Sequence, residues 1–258
     1  MLIDQSQITP KNLAISIVSH GHGQKVKQVL KDLEPLILNG AQVLLTLNIP
    51  EDEKFLDELK IKPELIRNPH KKGFGENHNN AFMRINRPWF AVINPDTRID
   101  LKIFNCLDKA WQTDDVGVIG PLVVDNSGVI ESSARYYPTL QLVIKRLLKR
   151  IICFKLIPDY DTGSNDAIIV DWVSGCFMLF NTQAYDLIGG YDTQYFMYLE
   201  DADICFRLKL AGFKVLYYPK ATIIHQGQYA SRSNLKHLYW HLISMLRFLW
   251  VTRKIKWN

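Results

Sequence analysis

Residues Leu13–His22 read LAISIVSHGH, and this segment gives the clearest indication of the fold. It is a short apolar run, rich in β-branched residues, that ends in polar residues and a glycine turn, which is typical of a buried strand. A segment with helical spacing of apolar residues follows at 26–38, and a second apolar run begins at residue 42. A strand followed by a helix, repeated along the chain, predicts an α/β fold with a mostly parallel sheet flanked by helices.

The same alternation continues through the first half of the chain. Further strands are predicted at 42–47 (QVLLTL), 64–68 (ELIRN), 89–94 (WFAVIN) and 116–120 (VGVIG). Helices are predicted at 52–60, 77–85 and 101–111. In the second half, short strands are predicted at 128–132, 167–173 and 176–181, a helix at 201–211, and two strands, KVLYYP (214–219) and ATIIH (221–225). We expect one domain over 1–228 and a helical tail over 229–258.

The charge of the chain is unevenly distributed. Its 258 residues carry 31 Lys and Arg against 26 Asp and Glu, a net charge of +5. The segments 145–155 and 232–258 contain basic residues and no acid, so the remainder is acidic. This distribution argues against a nucleic-acid-binding protein coated in positive charge.

Cysteines and apolar runs bear on the cellular compartment. The four cysteines, Cys106, Cys153, Cys176 and Cys205, are far apart and form no C-x-x-C pair, which favours a reducing cytoplasm over a zinc site or a disulfide framework. The N-terminus lacks the pattern of a signal peptide, and no apolar run reaches the roughly 20 residues of a membrane span. Attachment to a membrane surface is left open.

Ligands of parallel sheets bind beyond the carboxyl ends of the strands, so the residues there are candidates for a site. After the first strand, Gly21 and Gly23 start a G-x-G pattern, but Val26 stands where a dinucleotide fingerprint needs glycine. The second strand ends at Asn48 instead of the acid that binds a ribose of NAD. The glycine-rich loop is therefore either a simple turn or a different kind of nucleotide contact.

Two groups of carboxylates could carry chemistry. Asp96, in Asn94-Pro95-Asp96-Thr97, is either a turn former or a ligand for Mg²⁺ or Mn²⁺. Glu200, Asp201 and Asp203 stand at the predicted start of a helix, where acids favour the helix dipole. Clustering raises at least one of their pKa values towards the range of a general base. Asp203 and Arg207 have the spacing of an ion pair, which leaves Glu200 or Asp201 to face a cleft.

Two weaker signals remain. Trp172 and the turn at Ser174 and Gly175 offer an aromatic platform and a small-residue gap, which suit a sugar face but are equally common in cores. His225 ends a strand, and a single histidine is more often structural than a ligand.

Taken in order, these motifs resemble those of family 2 glycosyltransferases with the GT-A fold, and most closely bacterial rhamnosyltransferases of O-antigen and related polysaccharide assembly. The matching blocks are ISIVSHGH, GFGENHNNA, NPDT, GPLVVDNSGVIESSARYYPTL, VDWVSGCFMLFN, IGGYDTQYFMYLEDADICFRLKLAGFKVLYYP and the final HQG. The block that contains EDADICFR is the most specific, because its glycines, aromatic residues and acids occur in a fixed order.

The resemblance implies roles for individual residues. Nucleotide-sugar binding is implied for Ser19, His20, Gly21, Asn48, Gly73, Gly75, Asn79, Asn94 and Asp96. Asp96 matches the metal-binding carboxylate of a D-x-D motif, with Asn94 in place of its first acid, and His225 matches a late histidine at the metal or diphosphate. Asp201 matches the catalytic base, with Glu200 as the alternative. Trp172, Ser174 and Gly175 would lie in the acceptor or sugar pocket.

The resemblance also implies an activity. It is an inverting, metal-dependent transfer of a sugar, L-rhamnose from dTDP-rhamnose, to a polyprenyl-diphosphate-linked saccharide, with Mg²⁺ or Mn²⁺ as cofactor. The alternative is a non-catalytic nucleotide- or glycan-binding module with the same fold. The expected location is cytoplasmic, peripheral on the inner face of the membrane, and the oligomeric state is open.

The basic segments bear on that location. In 140–155 four cations lie opposite an apolar face, and in the tail Lys236, Arg247 and Lys254 lie beside Leu238, Leu242 and Leu246. Such helices suit an anionic membrane interface, and the alternative is ordinary packing against the domain.

Overall fold

The computed structural model of the protein describes residues 7–139, 141–142, 158–226 and 235–255. Within these ranges the predicted α/β fold is confirmed. The strands are β1 Leu13–Ser19, β2 Gln42–Leu47, β3 Glu64–Arg67, β4 Trp89–Ile93, β5 Thr97–Arg98, β6 Val116–Val124, β7 Ile130–Glu131, β8 Ala134–Arg135, β9 Ile168–Ile169, β10 Trp172–Val173, β11 Phe177–Asn181 and β12 Lys214–His225. The α-helices are α1 Gly23–Leu38, α2 Phe74–Phe82, α3 Lys102–Ala110, α4 Thr182–Leu187, α5 Glu200–Leu210 and α6 Leu235–Ile255.

The central sheet is mixed. Its described strands run in the order β3-β2-β1-β4-β11-β6-β12-β5, with β7 beside β6 and β9 beside β12. β1 to β4 are mutually parallel, and β12 is parallel to β6, whereas β11 is antiparallel to both of its neighbours. β8 and β10 form a small separate sheet.

Two apolar layers cover the sheet because successive side chains of a strand point to opposite faces. Leu13, Ile15 and Ile17 of β1 pack in one layer with α1 and α3, and Ala14 packs in the other with α5 and α6. Both faces of β1 are buried, which explains why its sequence is almost continuously apolar.

Several predicted boundaries are wrong. The helix predicted at 52–60 is only a 3₁₀-helix, Lys54–Glu58. One turn buries Phe55 and Leu56, and the chain then turns towards α1, where the Lys60 N–H donates to Glu34 Oε1 at 2.9 Å. The strand predicted at 167–173 is two strands, because β9 pairs with β12 and β10 with β8.

The two late strands predicted around Pro219 are one strand, β12. The register with β6 shifts between Tyr218 and Thr222, and Pro219 lies in this irregularity. A proline is tolerated there because no ladder hydrogen bond needs its missing N–H.

The predicted tail helix is confirmed as α6, and its inward face belongs to the second apolar layer. Phe248 is completely buried among Tyr137 and Phe206, and Ser244 Oγ donates to the carbonyl of Met197 at 2.9 Å. None of the helices in the described ranges has the length and hydropathy of a membrane span. The basic cluster from Lys145 to Lys155 lies outside the described residues.

Candidate active site

One corner of the site forms where β5 pairs with β12. This pairing sets Thr97 opposite His225 and so brings His225 to Asp96, with His225 Nε2 3.4 Å from Asp96 Oδ1. On the other side of the ring, His225 Nδ1 lies 2.9 Å from Glu131 Oε2. Lys25, in the first turn of α1, places its Nζ 3.7 Å from Asp96 Oδ2. A carboxylate and an imidazole predicted from different motifs are thus neighbours.

The charges of this corner reinforce one another. Burial alone would raise the pKa of Asp96, but the hydrogen bond to His225 and the charges of His225 and Lys25 outweigh burial and lower it. Burial opposes the charged form of His225, but Asp96 and Glu131 outweigh that effect and raise the pKa of His225 to about 9. Without a metal the histidine is therefore a cation held between two carboxylates.

Asp96 and His225 are the candidate ligands for a divalent metal in this corner. The described residues contain no group of three or more His, Cys, Asp or Glu side chains arranged to hold an ion. Mg²⁺ and related ions at phosphate sites commonly take only one or two protein carboxylates, together with oxygens of the substrate. Asp96 and His225 fit such a shared site, whereas a site built from protein ligands alone does not fit.

The second carboxylate centre lies at the start of α5. Asp201 Oδ2 accepts a hydrogen bond from the backbone N–H of Gly175 at 3.0 Å, and Oδ1 accepts one from the N–H of Ala202 at 2.9 Å. Burial raises the pKa of Asp201 above its ordinary value, although these hydrogen bonds and the charge of Arg135 oppose the rise. The result is a fixed carboxylate whose proton affinity is increased, as a general base requires.

Glu200 differs from Asp201 in its surroundings. It is only 7% exposed, and its Oε2 has no hydrogen-bond partner among the described residues. Burial, followed by the charge of Asp201, raises its pKa well above the ordinary value. Tyr198 and Leu199, immediately before it, both have left-handed backbone, with φ of 73° and 63°. Strained backbone of this kind is concentrated at functional sites.

The third acid of the cluster is structural. Asp203 Oδ2 accepts a hydrogen bond from Arg207 Nε at 2.7 Å, which confirms the predicted i, i+4 pair. Arg207 Nη1 also donates to the carbonyl of Ile188 at 2.9 Å. The pair ties α5 to the loop after α4 and leaves Asp201 and Glu200 for the site.

The predicted sugar platform is not open in this structure. The indole of Trp172 is buried, its Nε1 donates to the carbonyl of Tyr136 at 3.1 Å, and Arg135 lies over its ring. Gly175 does face Asp201: a Cβ at this position would lie 3.6 Å from Asp201 Oδ2. The Ser174 N–H donates to the carbonyl of Ser133 at 2.8 Å, which fixes the turn.

The loop after β1 presents groups that lack partners. The Nδ1 atoms of His20 and His22 are buried and have no hydrogen-bond partner among the described residues. Gly21 has φ of +77°, a backbone conformation that glycine adopts without strain. Ser19 is buried, and its Oγ accepts a hydrogen bond from the His22 N–H at 3.2 Å. Ser19 therefore shapes the loop, and each of the two histidines keeps a buried ring nitrogen without a hydrogen bond to the described residues.

Two asparagines predicted to bind the nucleotide sugar form hydrogen bonds that hold loops of the protein in place. Asn48 Nδ2 donates to the carbonyl of Lys72 at 2.9 Å, and Oδ1 accepts from the N–H of Lys72 at 2.8 Å. Asn79 Nδ2 donates to the carbonyl of Tyr191, and its Oδ1 accepts from Tyr185 Oη and the Tyr191 N–H. Their carboxamides are engaged within the chain, so both position loops, and their contact with a nucleotide sugar stays a prediction.

The glycines of the GFGENHNNA block act by close packing. A Cβ at Gly73 would lie 2.9 Å from the carbonyl oxygen of Phe196, and one at Gly75 would lie 2.5 Å from Tyr191 Cβ. Their absence of side chains lets α2 dock against the loop that leads to Glu200. Asn94 donates its N–H to the carbonyl of Cys176 at 2.9 Å.

Sequence reasoning missed three charged residues of the site: Lys25, Glu131 and Arg135. Lys25 could have been suspected because it falls in the first helical turn after the SHGHG loop. Glu131 and Arg135 belong to a block quoted for the family resemblance, but no spacing in it links either residue to Asp96 or Asp201.

The fold and the site together define a glycosyltransferase of the GT-A class. The structure of GalNAc-T7 with UDP, GalNAc and Mn²⁺ matches with a TM-score of 0.61 at 14% identity, over 86% of this chain and 44% of that one. The mannosyltransferase PcManGT of Pyrobaculum calidifontis, in complex with GDP-Man and Mn²⁺, matches with a TM-score of 0.60 at 11% identity, over 92% and 64% of the two chains. The predicted fold is thereby confirmed.

The chain belongs to glycosyltransferase-like family 2, whose profile matches residues 51–243. It is 29% identical over 254 residues to rhamnosyltransferase WbbL of Escherichia coli, with 91% of each chain covered. It is 30% identical over 185 residues to the N-acetylglucosaminyl-diphospho-decaprenol L-rhamnosyltransferase of Mycobacterium tuberculosis, over 66% of this chain and 59% of that one. The chain is therefore a glycosyltransferase, as predicted, and the alternative of a non-catalytic module is not favoured.

Proposed function

We propose that the protein transfers L-rhamnose from dTDP-rhamnose to a polyprenyl-diphosphate-linked saccharide, with inversion at the sugar carbon, in the synthesis of O-antigen or another cell-surface polysaccharide. The choice of sugar is supported by the relatives in Escherichia coli and Mycobacterium tuberculosis, both named as rhamnosyltransferases. The lipid acceptor is supported by the name of the mycobacterial relative, which specifies an N-acetylglucosaminyl-diphospho-decaprenol.

The observation that carries the proposed chemistry is the geometry of Asp201. Its carboxylate is held by two backbone N–H groups, and the neighbouring position has no side chain because it is Gly175. A hydroxyl group of the acceptor could enter this gap and pass its proton to Asp201 as it attacks the sugar. The bond from sugar to diphosphate breaks as the new glycosidic bond forms, so one displacement inverts the sugar carbon.

The leaving diphosphate would lie at the other corner. Asp96 and His225 would hold Mg²⁺ or Mn²⁺, and His225 would give up its ring proton to act as a ligand. When bound, the metal supplies positive charge that stabilises the leaving group. Lys25, already beside Asp96, adds a second positive charge to the same corner. Separate corners for the base and the leaving group fit a single displacement without a glycosyl-enzyme intermediate.

Binding to the cytoplasmic face of the membrane would bring the enzyme to a lipid-linked acceptor. The outward face of α6 exposes large apolar side chains: Leu235, Leu238, Tyr239, Leu242, Ile243, Leu246 and Trp250. A helix of this kind can lie in a membrane interface with its apolar face towards the lipid. Arg247 is excluded from this face, since it pairs with Asp192 and lies over the ring of Tyr195.

The test is an assay of the full chain with a panel of nucleotide sugars and a polyprenyl-diphosphate-GlcNAc acceptor, with the product identified by mass. We expect transfer of one deoxyhexose from dTDP-rhamnose, loss of transfer after treatment with EDTA, and recovery with Mg²⁺ or Mn²⁺. Transfer of a different sugar would overturn the donor assignment. Unchanged activity in EDTA would overturn the metal assignment and leave the base assignment to its own test.

A further inference from the structure

A cluster of positive charge lies where the loop before α2 meets α6. Lys71 precedes α2, and Lys236 is in the first turn of α6. Their Nζ atoms lie 5.3 Å and 5.2 Å from the centroid of the same indole ring, that of Trp240. Two lysines far apart in sequence are thus held beside one aromatic side chain.

No acid among the described residues neutralises the charge of Lys71. Within the described ranges Lys71 forms no ion pair, and its contacts are with the rings of Trp240 and Phe196, the latter at 5.4 Å. Partial burial, followed by the charge of Lys236, lowers the pKa of Lys71. Burial and the same two lysines lower the pKa of His237. The charges of the two lysines therefore repel each other, and a bound anion would reduce this repulsion.

The backbone that carries Lys71 is rigidly held. Asn48 binds both the N–H and the carbonyl of the next residue, Lys72. Asn68 Nδ2 donates to Asn48 Oδ1 at 3.0 Å and to Asn77 Oδ1 at 2.6 Å, so three asparagines support one short loop. A loop that is ordered before binding loses little entropy when the ligand arrives.

The cluster is connected to the catalytic base. Phe196, in contact with Lys71 and Trp240, lies in the loop that leads to Glu200 and Asp201. Tyr198 Oη lies 2.8 Å from His237 Nδ1, next to Lys236 in α6. A substrate whose anion is bound between the lysines would therefore lie beside the loop that precedes Asp201.

We propose that Lys71 and Lys236, on the ring of Trp240, bind the diphosphate of the lipid-linked acceptor. This inference rests on the proposed function and names the part of the acceptor that the cluster recognises. The donor also carries a diphosphate, and the charge of Lys71 contributes to lowering the pKa of His20 in the loop after β1. The charged neighbours of the Asp96 side chain, however, are Lys25 and His225, and neither lysine of the cluster is among them. The helix that carries Lys236 also exposes the apolar face suited to lipid, so a head group and its chain would meet the same element.

The first experiment compares substrates in Lys71→Gln, Lys236→Gln and the double variant, with the exposed Lys102→Gln as a control. We expect the KM for a short polyprenyl-diphosphate-GlcNAc to rise about tenfold in each single variant, as for the loss of a charge-assisted contact. The KM for an alkyl-linked GlcNAc without phosphate and the KM for the donor should be unchanged. An increase in donor KM alone would assign the cluster to the donor diphosphate, and equal losses for both acceptors would show that it only shapes the pocket.

The second experiment separates failure of this inference from failure of the proposed function. It measures binding of farnesyl diphosphate and of farnesol to the full chain by calorimetry, which requires no sugar transfer. We expect wild-type protein to bind the diphosphate, the double variant to lose that binding, and Lys102→Gln to retain it. Equal binding by wild-type and double-variant protein would overturn the inference even if rhamnose is transferred.

Discussion

The backbone N–H of Gly175 donates a hydrogen bond to Oδ2 of Asp201 at 3.0 Å, and this contact connects the two halves of the site. The next residue, Cys176, accepts a hydrogen bond through its carbonyl from Asn94, two residues before Asp96. Asp201 and the corner that contains Asp96 are therefore held by adjacent residues immediately before β11. A shift of this segment would therefore move both Asp96 and Asp201.

Replacing Asp201 by Asn should abolish transfer without unfolding the protein. Asn keeps an oxygen that can accept from Gly175 but cannot take a proton, so kcat should fall at least about 100-fold. The exposed Asp186→Asn is the control and should be fully active, and both variants should unfold at the wild-type temperature. Full activity in Asp201→Asn, with loss of activity in Glu200→Gln, would move the role of base to Glu200.

Replacing Arg135 by Gln should shift the pH dependence of kcat. Burial raises the pKa of Asp201, and the charge of Arg135 opposes that rise. A base must be deprotonated, so activity is lost as the pH falls through this raised pKa. Without Arg135 the pKa rises further, and the acidic limb should move to higher pH. Superimposable pH profiles for the variant and the wild type would contradict the assignment of Asp201 as base.

Breaking the pair between Asp203 and Arg207 should affect stability first. Asp203→Asn removes the partner of a largely buried guanidinium group and should lower the free energy of unfolding by about 2 kcal/mol or more. The exposed pair of Lys209 with Asp171 is the control, and Lys209→Gln should change it by less than about 0.5 kcal/mol. Denaturant unfolding measures both. Equal effects would mean that the buried pair does not stabilise α5.

Adding a methyl group at Gly175 should separate activity from stability. A Cβ there would lie 3.5 Å or more from its neighbours, Asp201 and Phe74, so Gly175→Ala should fold normally. It should nevertheless reduce kcat/KM for the acceptor, because it fills the gap beside the base. Gly190→Ala is the contrast: φ is +66° and a Cβ would lie 2.5 Å from Asn79 Oδ1, so we expect a loss of stability. An acceptor kcat/KM at the wild-type level in Gly175→Ala would show that the hydroxyl does not use this gap.

Polar substitutions on the outer face of α6 should weaken membrane binding. Leu242 and Leu246 are 55% and 66% exposed, so the double change to Gln should alter stability little. It should reduce flotation with anionic liposomes, because the apolar face contributes to binding. Phe248→Ala, on the buried face, should instead cost about 3–5 kcal/mol of stability. Unchanged flotation of the double variant would assign this face to another partner.

The first half of the fold could be predicted from the sequence because its signals are local. The apolar run of β1 and the helical spacing of α1 recur in the segments that follow them and predict the α/β class. The observed β1 and α1 confirm that prediction. The pair of Asp203 and Arg207 was predictable for the same reason, since four residues make one turn of helix. The single strand β12 was not, because only its pairing with β6 shows that Pro219 lies in an irregularity.

The roles of the asparagines show where local signals stop. Asn48 and Asn79 lie in blocks that pointed to the nucleotide sugar, and the residue type suits either ligand binding or loop support. Only the folded chain shows that Lys72 occupies one carboxamide and that Tyr185 and Tyr191 occupy the other. A hydrogen bond between residues so distant in sequence produces no periodic pattern of residue types along the chain.

The sequence by itself determined the fold class, the family and the carboxylates at strand and helix ends, because strand and helix periods and ordered motifs are written within short segments. The tertiary structure decided which of these residues meet. His225 lies between Asp96 and Glu131 only because β5 and β7 flank β12 and β6 in one sheet. Lys71 and Lys236 share the ring of Trp240 only because α6 packs back on the loop before α5. Register and packing set these distances, and neither is encoded in the spacing of residues along the chain.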